Sequence, residues 1–185
     1  MAKKKQKPAK PPKNRSLSVL PETLDALNEM DSADDRTAAI VGLAFLENNL
    51  ALAIMSRLRD MDETEQKDLF DEPLSLLGGF SAKVEIGYAL NIFGKSVRSD
   101  LKRLNRIRNR FAHYLEVRNF DHPEVSKFCD DLIYPTFKDP SKRTRPQTRE
   151  EKFRDTISYL AARFTKETKY PHKPPESINR FSAVY

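Results

Sequence analysis

Apolar residues recur at intervals of one or two helical turns through the stretch SADDRTAAIVGLAFLENNLALAIMSRLRD, at Ala39, Leu43, Leu50, Ile54 and Leu58. That period belongs to a long amphipathic helix and not to a strand, whose faces alternate every residue. Ser32 with Asp35 three residues on forms an aspartate version of the capping box at its start. Helical signals recur downstream. A short helix is expected around residues 63–71, another after the breaker Gly78–Phe80, capped by Ser81 and stopped by Gly94. A longer one runs from about Ser96 to Leu115, one more opens with Asp121 as cap and Pro123 just inside, and a last one carries the stripe Phe153, Ile157, Leu160 and Phe164. No segment has a trustworthy strand period. With only five glycines and no tryptophan, the class is all-α, a compact multi-helix bundle.

Charge divides the chain differently. Residues 1–15, MAKKKQKPAKPPKNR, hold six lysines and one arginine with no acid, so the net +6 of the whole chain leaves the other residues close to neutral. Such a Lys- and Pro-rich tail has no means of building a core, and a disordered arm is expected. Residues 16–170 make the helical domain, with LPETLDALNEM as a short first helix, and residues 171–185 an extended C-terminal arm after a Pro- and cation-rich loop near residues 135–148. The tail, through Lys3, Lys4, Lys5 and Lys7, is suited to attract phosphate backbones without reading sequence. The single cysteine, Cys129, permits no internal disulfide and fits a reducing, cytoplasmic setting. No run approaches the roughly 18 apolar residues of a spanning helix, and the charged N-terminus has no apolar core of a secretory signal.

The stretch LKRLNRIRNRFAHY, Leu101 to Tyr114, carries the chemistry. At about 100° per residue, Leu101, Leu104, Phe111 and Leu115 share a face with Val97, and Arg108 falls in the middle of that apolar stripe. An arginine there either snorkels from the edge of the core or is held by an opposite charge, because an unpaired buried guanidinium is costly. Glu47 interrupts the stripe of the first long helix in the same way, so an ion pair between Glu47 and Arg108, joining two helices, is expected. His113 lies nearly opposite the stripe, with Arg106 and Asn109 as helical neighbours. Arg108 and His113 therefore converge only if the helix ends or bends near Ala112, or across a two-fold axis. The three histidines and the cysteine have no metal-ligand spacing, no Gly-rich phosphate loop is present, and no cofactor is implied.

RNRFAH, Arg108 to His113, resembles the Arg–Asn, three residues, His motif of HEPN domains, helical bundles that are often dimeric and include metal-independent endoribonucleases. A longer set of segments, DRTAAIVGLAFLENNLALAI, PLSLLGGFSAKVEIGYALNIFG, DLKRLNRIRNRFAH and FDHPEV, is similar in order and spacing to the mannitol operon repressor (MltR) family, over roughly Asp35 to Val125. That resemblance implies an all-helical fold and a role in transcription regulation, with no evident helix-turn-helix. Three functions follow. The first is a regulatory interaction module, a homodimer acting through a protein partner, with Arg108, Asn109 and Glu47 structural. In the second, an endoribonuclease, His113 is the general acid/base, Arg108 stabilises the phosphorane charge and Asn109 orients the phosphate. Lys102, Arg103, Arg106 and Arg110 then hold RNA. The third is non-catalytic RNA or DNA binding through the tail and the SKRTR loop. RNA grooves combine cations with exposed aromatics for stacking. Here Phe111 belongs to the core and Tyr114 is the one nearby candidate, so the first reading is favoured.

Overall fold

The computed structural model describes residues 33–70, 75–133 and 147–169. The expected N-terminal tail, the LPETLDALNEM helix, most of the Pro- and cation-rich loop and the C-terminal arm lie outside them. Among the described residues the chain forms six helices and no strand: α1 (Asp35–Met55), α2 (Glu63–Phe70), α3 (Phe80–Ala89), α4 (Lys95–His113), α5 (Pro123–Asp130) and α6 (Arg149–Lys169).

The centre of the bundle is α1. It packs most heavily against α6 and also against α4 and α3, while α5 sits on α4 and α6. Ala38, Ala39, Leu43, Leu46, Leu50, Ala53 and Ile54 are all buried, so α1 is covered over much of its circumference rather than along one stripe. This explains why it is, against the sequence expectation, long and apolar enough to cross a membrane by length and composition alone. A helix apolar all round belongs at the centre of a core as much as in a bilayer. Its small residues, Ala38, Ala39, Gly42 and Ala53, let neighbouring helices approach.

Aromatic rings bridge the layers. Phe111 of α4 meets Phe120 edge-on at 5.0 Å, and Phe120 meets Phe153 of α6 at 4.9 Å. At the other end Phe93 meets Phe164 at 5.7 Å. A Cβ on Gly87 would stand 2.8 Å from Phe93 Cε1 and 3.3 Å from Leu50 Cδ1, so glycine at this point of α3 makes room for the Phe93 ring and lets α3 sit tightly on Leu50 of α1.

Several helix ends differ from expectation. Asp34 caps α1 by accepting from the Thr37 amide at 3.0 Å, and this bond holds the Asp34 carboxyl below its ordinary range; Ser32 of the expected capping box lies outside the described residues. Gly79 precedes α3, so Ser81 is inside the helix. The cap of α5 is His122, whose Nδ1 accepts from the Glu124 amide at 3.3 Å, with Pro123 in the first turn. Asp121 instead receives Arg149 at 2.8 Å. Finally, α4 ends at His113, and Leu115, expected in the core stripe, is 82% exposed.

Candidate functional site

The buried face of α4 consists of Val97, Leu101, Leu104, Ile107 and Phe111. Ile107 widens the stripe to one side and leaves Arg108 half-buried at its edge. Its guanidinium donates to Asn105 Oδ1 at 3.0 Å, whereas its Nε is buried without a hydrogen-bond partner among the described residues. The expected pairing with Glu47 is not formed. Glu47 receives Lys83 Nζ of α3 at 2.8 Å, and the same ammonium donates to the Gly78 carbonyl at 3.1 Å. The Lys83 side chain is only 7% exposed against 25% for Glu47, so the deeper charge is the lysine. The physical reason is proximity: α3 packs on α1 and brings an ammonium that meets both the carboxylate and the Gly78 carbonyl. Arg108 stays half-buried at the edge of the core, its guanidinium held by Asn105 of the same helix. Glu47 and Lys83 border a small cleft of about 320 Å³ with Met55, Gln66 and Phe70.

Most cations of α4 are engaged by neighbouring carboxylates. Lys102 and Arg98 share Glu85 at 2.8 and 2.5 Å; the Lys102 hydrogen bond, then that from Arg98, holds the Glu85 carboxyl below its usual range. Arg103 pairs with Asp100 at 2.8 Å. Asp100 is fully buried and also accepts from the Ile133 amide, so it fastens the end of the segment after α5 to the first half of α4. Arg110 meets Glu124 at 3.3 Å. Arg106 has no ion pair among the described residues and lies over the Phe128 ring at 5.7 Å.

Arg106, Asn109, Arg110, His113, Tyr114 and Phe128 line a cleft of about 650 Å³ at the C-terminal end of α4. The i, i+3, i+7 relation of Arg106, Asn109 and His113 puts them on one helical face, and α5 supplies Phe128 as the opposite wall. The structure thus brings together Asn109, His113, Arg106 and Arg110, and leaves Arg108 out. Since α4 is continuous to His113, the helix does not bend to bring Arg108 round within one chain. Lys102 and Arg103 are outside the cleft lining, and Lys3, Lys4, Lys5 and Lys7 lie outside the described residues.

The far end of the cleft is fixed by a residue the sequence reading did not single out. Arg36, in the first turn of α1, donates to the Phe111 carbonyl, and its second terminal nitrogen donates to the carbonyls of Tyr114, Leu115 and Val117 at 3.1, 3.1 and 2.8 Å. A helix C-terminus leaves carbonyls unpaired and carries partial negative charge. One guanidinium here meets a carbonyl of the last turn of α4 and three of the loop after it. Asp35 accepts from the Phe120 amide at 3.1 Å and has its carboxyl raised by burial, so α1 holds both ends of that loop. Phe128 was also missed: its place opposite α4 depends on the packing of α5, which helical periodicity does not report. Among the described residues no group of three or more His, Cys, Asp or Glu side chains could hold a metal ion. The Cys129 thiol is buried and pushed up to about 12 by desolvation, far from a reactive thiolate.

No family model matches the chain, and no curated protein does. The fold is similar to a solved protein in the X-ray structure of the MtlR–HPr complex from Escherichia coli, with a TM-score of 0.61 and 15% sequence identity, over 77% of this chain and 97% of that one. At that identity the likeness concerns fold alone, and at that level it agrees with the resemblance to the MltR family.

Proposed function

We propose that this chain is a cytoplasmic regulatory module that works by docking a protein partner and catalyses no reaction of its own. The observation that carries this reading is the fold likeness, which extends over nearly all of a protein solved bound to another protein, HPr. The pairing of Lys102, Arg103 and Arg110 with carboxylates also supports it, because a phosphate backbone following α4 would have to displace those acids. The direct test is calorimetric titration of the full chain with HPr and with RNA. Saturable heat with HPr and none with RNA is the expected outcome; binding of RNA alone overturns the reading.

A second reading, a metal-independent endoribonuclease, is favoured by one observation: Asn109 and His113 share the cleft with Arg106 and two aromatic rings. His113 would then act as general acid/base on the 2′-hydroxyl and leaving oxygen. Arg108 would have to reach the same phosphate from a second subunit. Incubation of the protein with mixed RNA in EDTA, beside His113→Ala, tests it; cleavage that the variant loses would establish it in place of the first reading.

A further inference from the structure

The cleft at the end of α4 has the makings of a recognition surface. Three features combine there. Arg106 is exposed, has no ion pair among the described residues and is held over Phe128 by its ring face. Arg110 stacks on Tyr114 at 4.9 Å while sharing Glu124 at 3.3 Å, so cations outnumber acids at the wall. Leu115, which follows Tyr114 in the chain just outside the cleft lining, has 82% of its surface exposed. Its backbone is not loose, since Arg36 grips the carbonyls of Tyr114, Leu115 and Val117.

The Arg36 clamp also alters the electrostatics of the site. The open C-terminus of a helix repels anions. With a guanidinium on those carbonyls, the negative end of α4 is offset, and Arg106, which has no ion pair among the described residues, is left to act on whatever enters. An exposed apolar side chain next to a basic, aromatic-walled cleft matches a ligand that has both an anion and an apolar group.

We infer that this cleft docks an acidic segment of a partner protein, one that sets a carboxylate against Arg106 and an apolar side chain against Leu115 and Tyr114. This rests on the docking reading given above and names the surface and the chemistry of the partner. Single-stranded nucleic acid is disfavoured by the same geometry. Its next phosphates along α4 would meet Glu85 on one side and Glu124 on the other, both already bound to the helix cations, and bases have no use for an isolated leucine.

The test uses the full chain and two surface variants that leave the core untouched, Arg106→Glu and Leu115→Asp. The probes are a short fluorescent peptide of glutamates and leucines, a lysine–leucine peptide of equal length, and oligouridine, read by fluorescence anisotropy at two salt concentrations. The acidic peptide should bind the parent chain, less tightly at high salt. Each variant should bind it roughly tenfold or more weakly, and the basic peptide should not bind. Oligouridine binding that Arg106→Glu abolishes, or acidic-peptide binding that is absent or equal in parent and variants, overturns the assignment. HPr titrated on the same proteins separates the two claims. If HPr binds parent and variants alike while the peptide does not bind, the cleft assignment fails and docking stands; if neither HPr nor peptide binds, both fail.

Discussion

Arg36, in the first turn of α1, donates to the main-chain carbonyl of Phe111, in the last turn of α4. The same side chain continues to the carbonyls of Tyr114, Leu115 and Val117, so one residue of the central helix sets where the basic helix stops. Hydrogen bonds from a charged donor are worth more than neutral ones, and two of the carbonyls it leaves, those of Phe111 and Val117, are partly shielded from water. Arg36→Ala is expected to cost about 2–3 kcal/mol by chemical denaturation. Arg36→Lys should restore only a minor part, because an ammonium has no planar fork to span several carbonyls. Wild-type stability in Arg36→Ala would show that solvent replaces the clamp.

The Lys83–Glu47 pair predicts an asymmetry. Glu47→Ala leaves a nearly buried ammonium with only the Gly78 carbonyl and should destabilise by roughly 2–3 kcal/mol, below the range for a fully buried pair because Glu47 is partly solvated. Lys83→Met removes the deeper charge and keeps its packing volume, so it should cost less than Glu47→Ala. Thermal melts of the two variants decide the order; equal losses would mean that the charge is not the controlling term.

At Gly87 the expectation is steric. Alanine there helps the helix by its propensity but places its Cβ at 2.8 Å from the Phe93 ring. The ring sits between α3 and Phe164 of α6, so it has little room to retreat. A net loss of about 1–3 kcal/mol is expected for Gly87→Ala, and Phe93→Leu in the same background should recover part of it. An unchanged unfolding midpoint for Gly87→Ala would show that the core yields freely.

Acid stability should depend on Arg149. It joins Asp130 at the end of α5 and Asp121 ahead of α5, both at 2.8 Å. The Arg149 hydrogen bond holds the Asp130 carboxyl below its ordinary range. A carboxyl lowered in the folded state adds stability above its unfolded pKa, and that contribution is lost as pH falls through the folded value. Arg149→Gln should therefore be less stable than the parent at neutral pH, and the gap should close as the pH falls below the ordinary aspartate range and through the lowered folded value. A gap that persists at low pH would assign the loss to packing of the long side chain instead of to charge.

Much of this architecture is legible in the sequence, and the misses have a common origin. Periodicity identified α1, α4 and α6 and placed Leu101, Leu104, Phe153 and Phe164 in the core, where all four are buried. It also put Arg106, Asn109 and His113 on one face, and they share one cleft. A helical wheel gives a direction from an axis but not the neighbour that lies in that direction. Glu47 is partly buried on a helix covered over much of its circumference, and its partner comes from α3, where Lys83 is hidden in an apolar run that signals only core. Leu115 kept the phase of the stripe, but the helix ended two residues before it, at carbonyls claimed by an arginine 79 positions earlier. Phe128 turned the exposed face of α4 into a cleft, which only the packing of α5 could reveal.

The placement of α1 has a consequence for synthesis. Its main cover is α6, the first and last of the described helices, so a growing chain must carry the most apolar segment of the fold through the emergence of everything between them. Until residue 169 has left the ribosome that surface has only part of its shelter, and closing the bundle means joining segments more than a hundred residues apart. Long-range closure of this kind slows folding and prolongs the time in which apolar surface is open to aggregation. A cell making this protein quickly would have to shield α1 in the interval, and the demand would fall on chaperones during translation, before any partner is met.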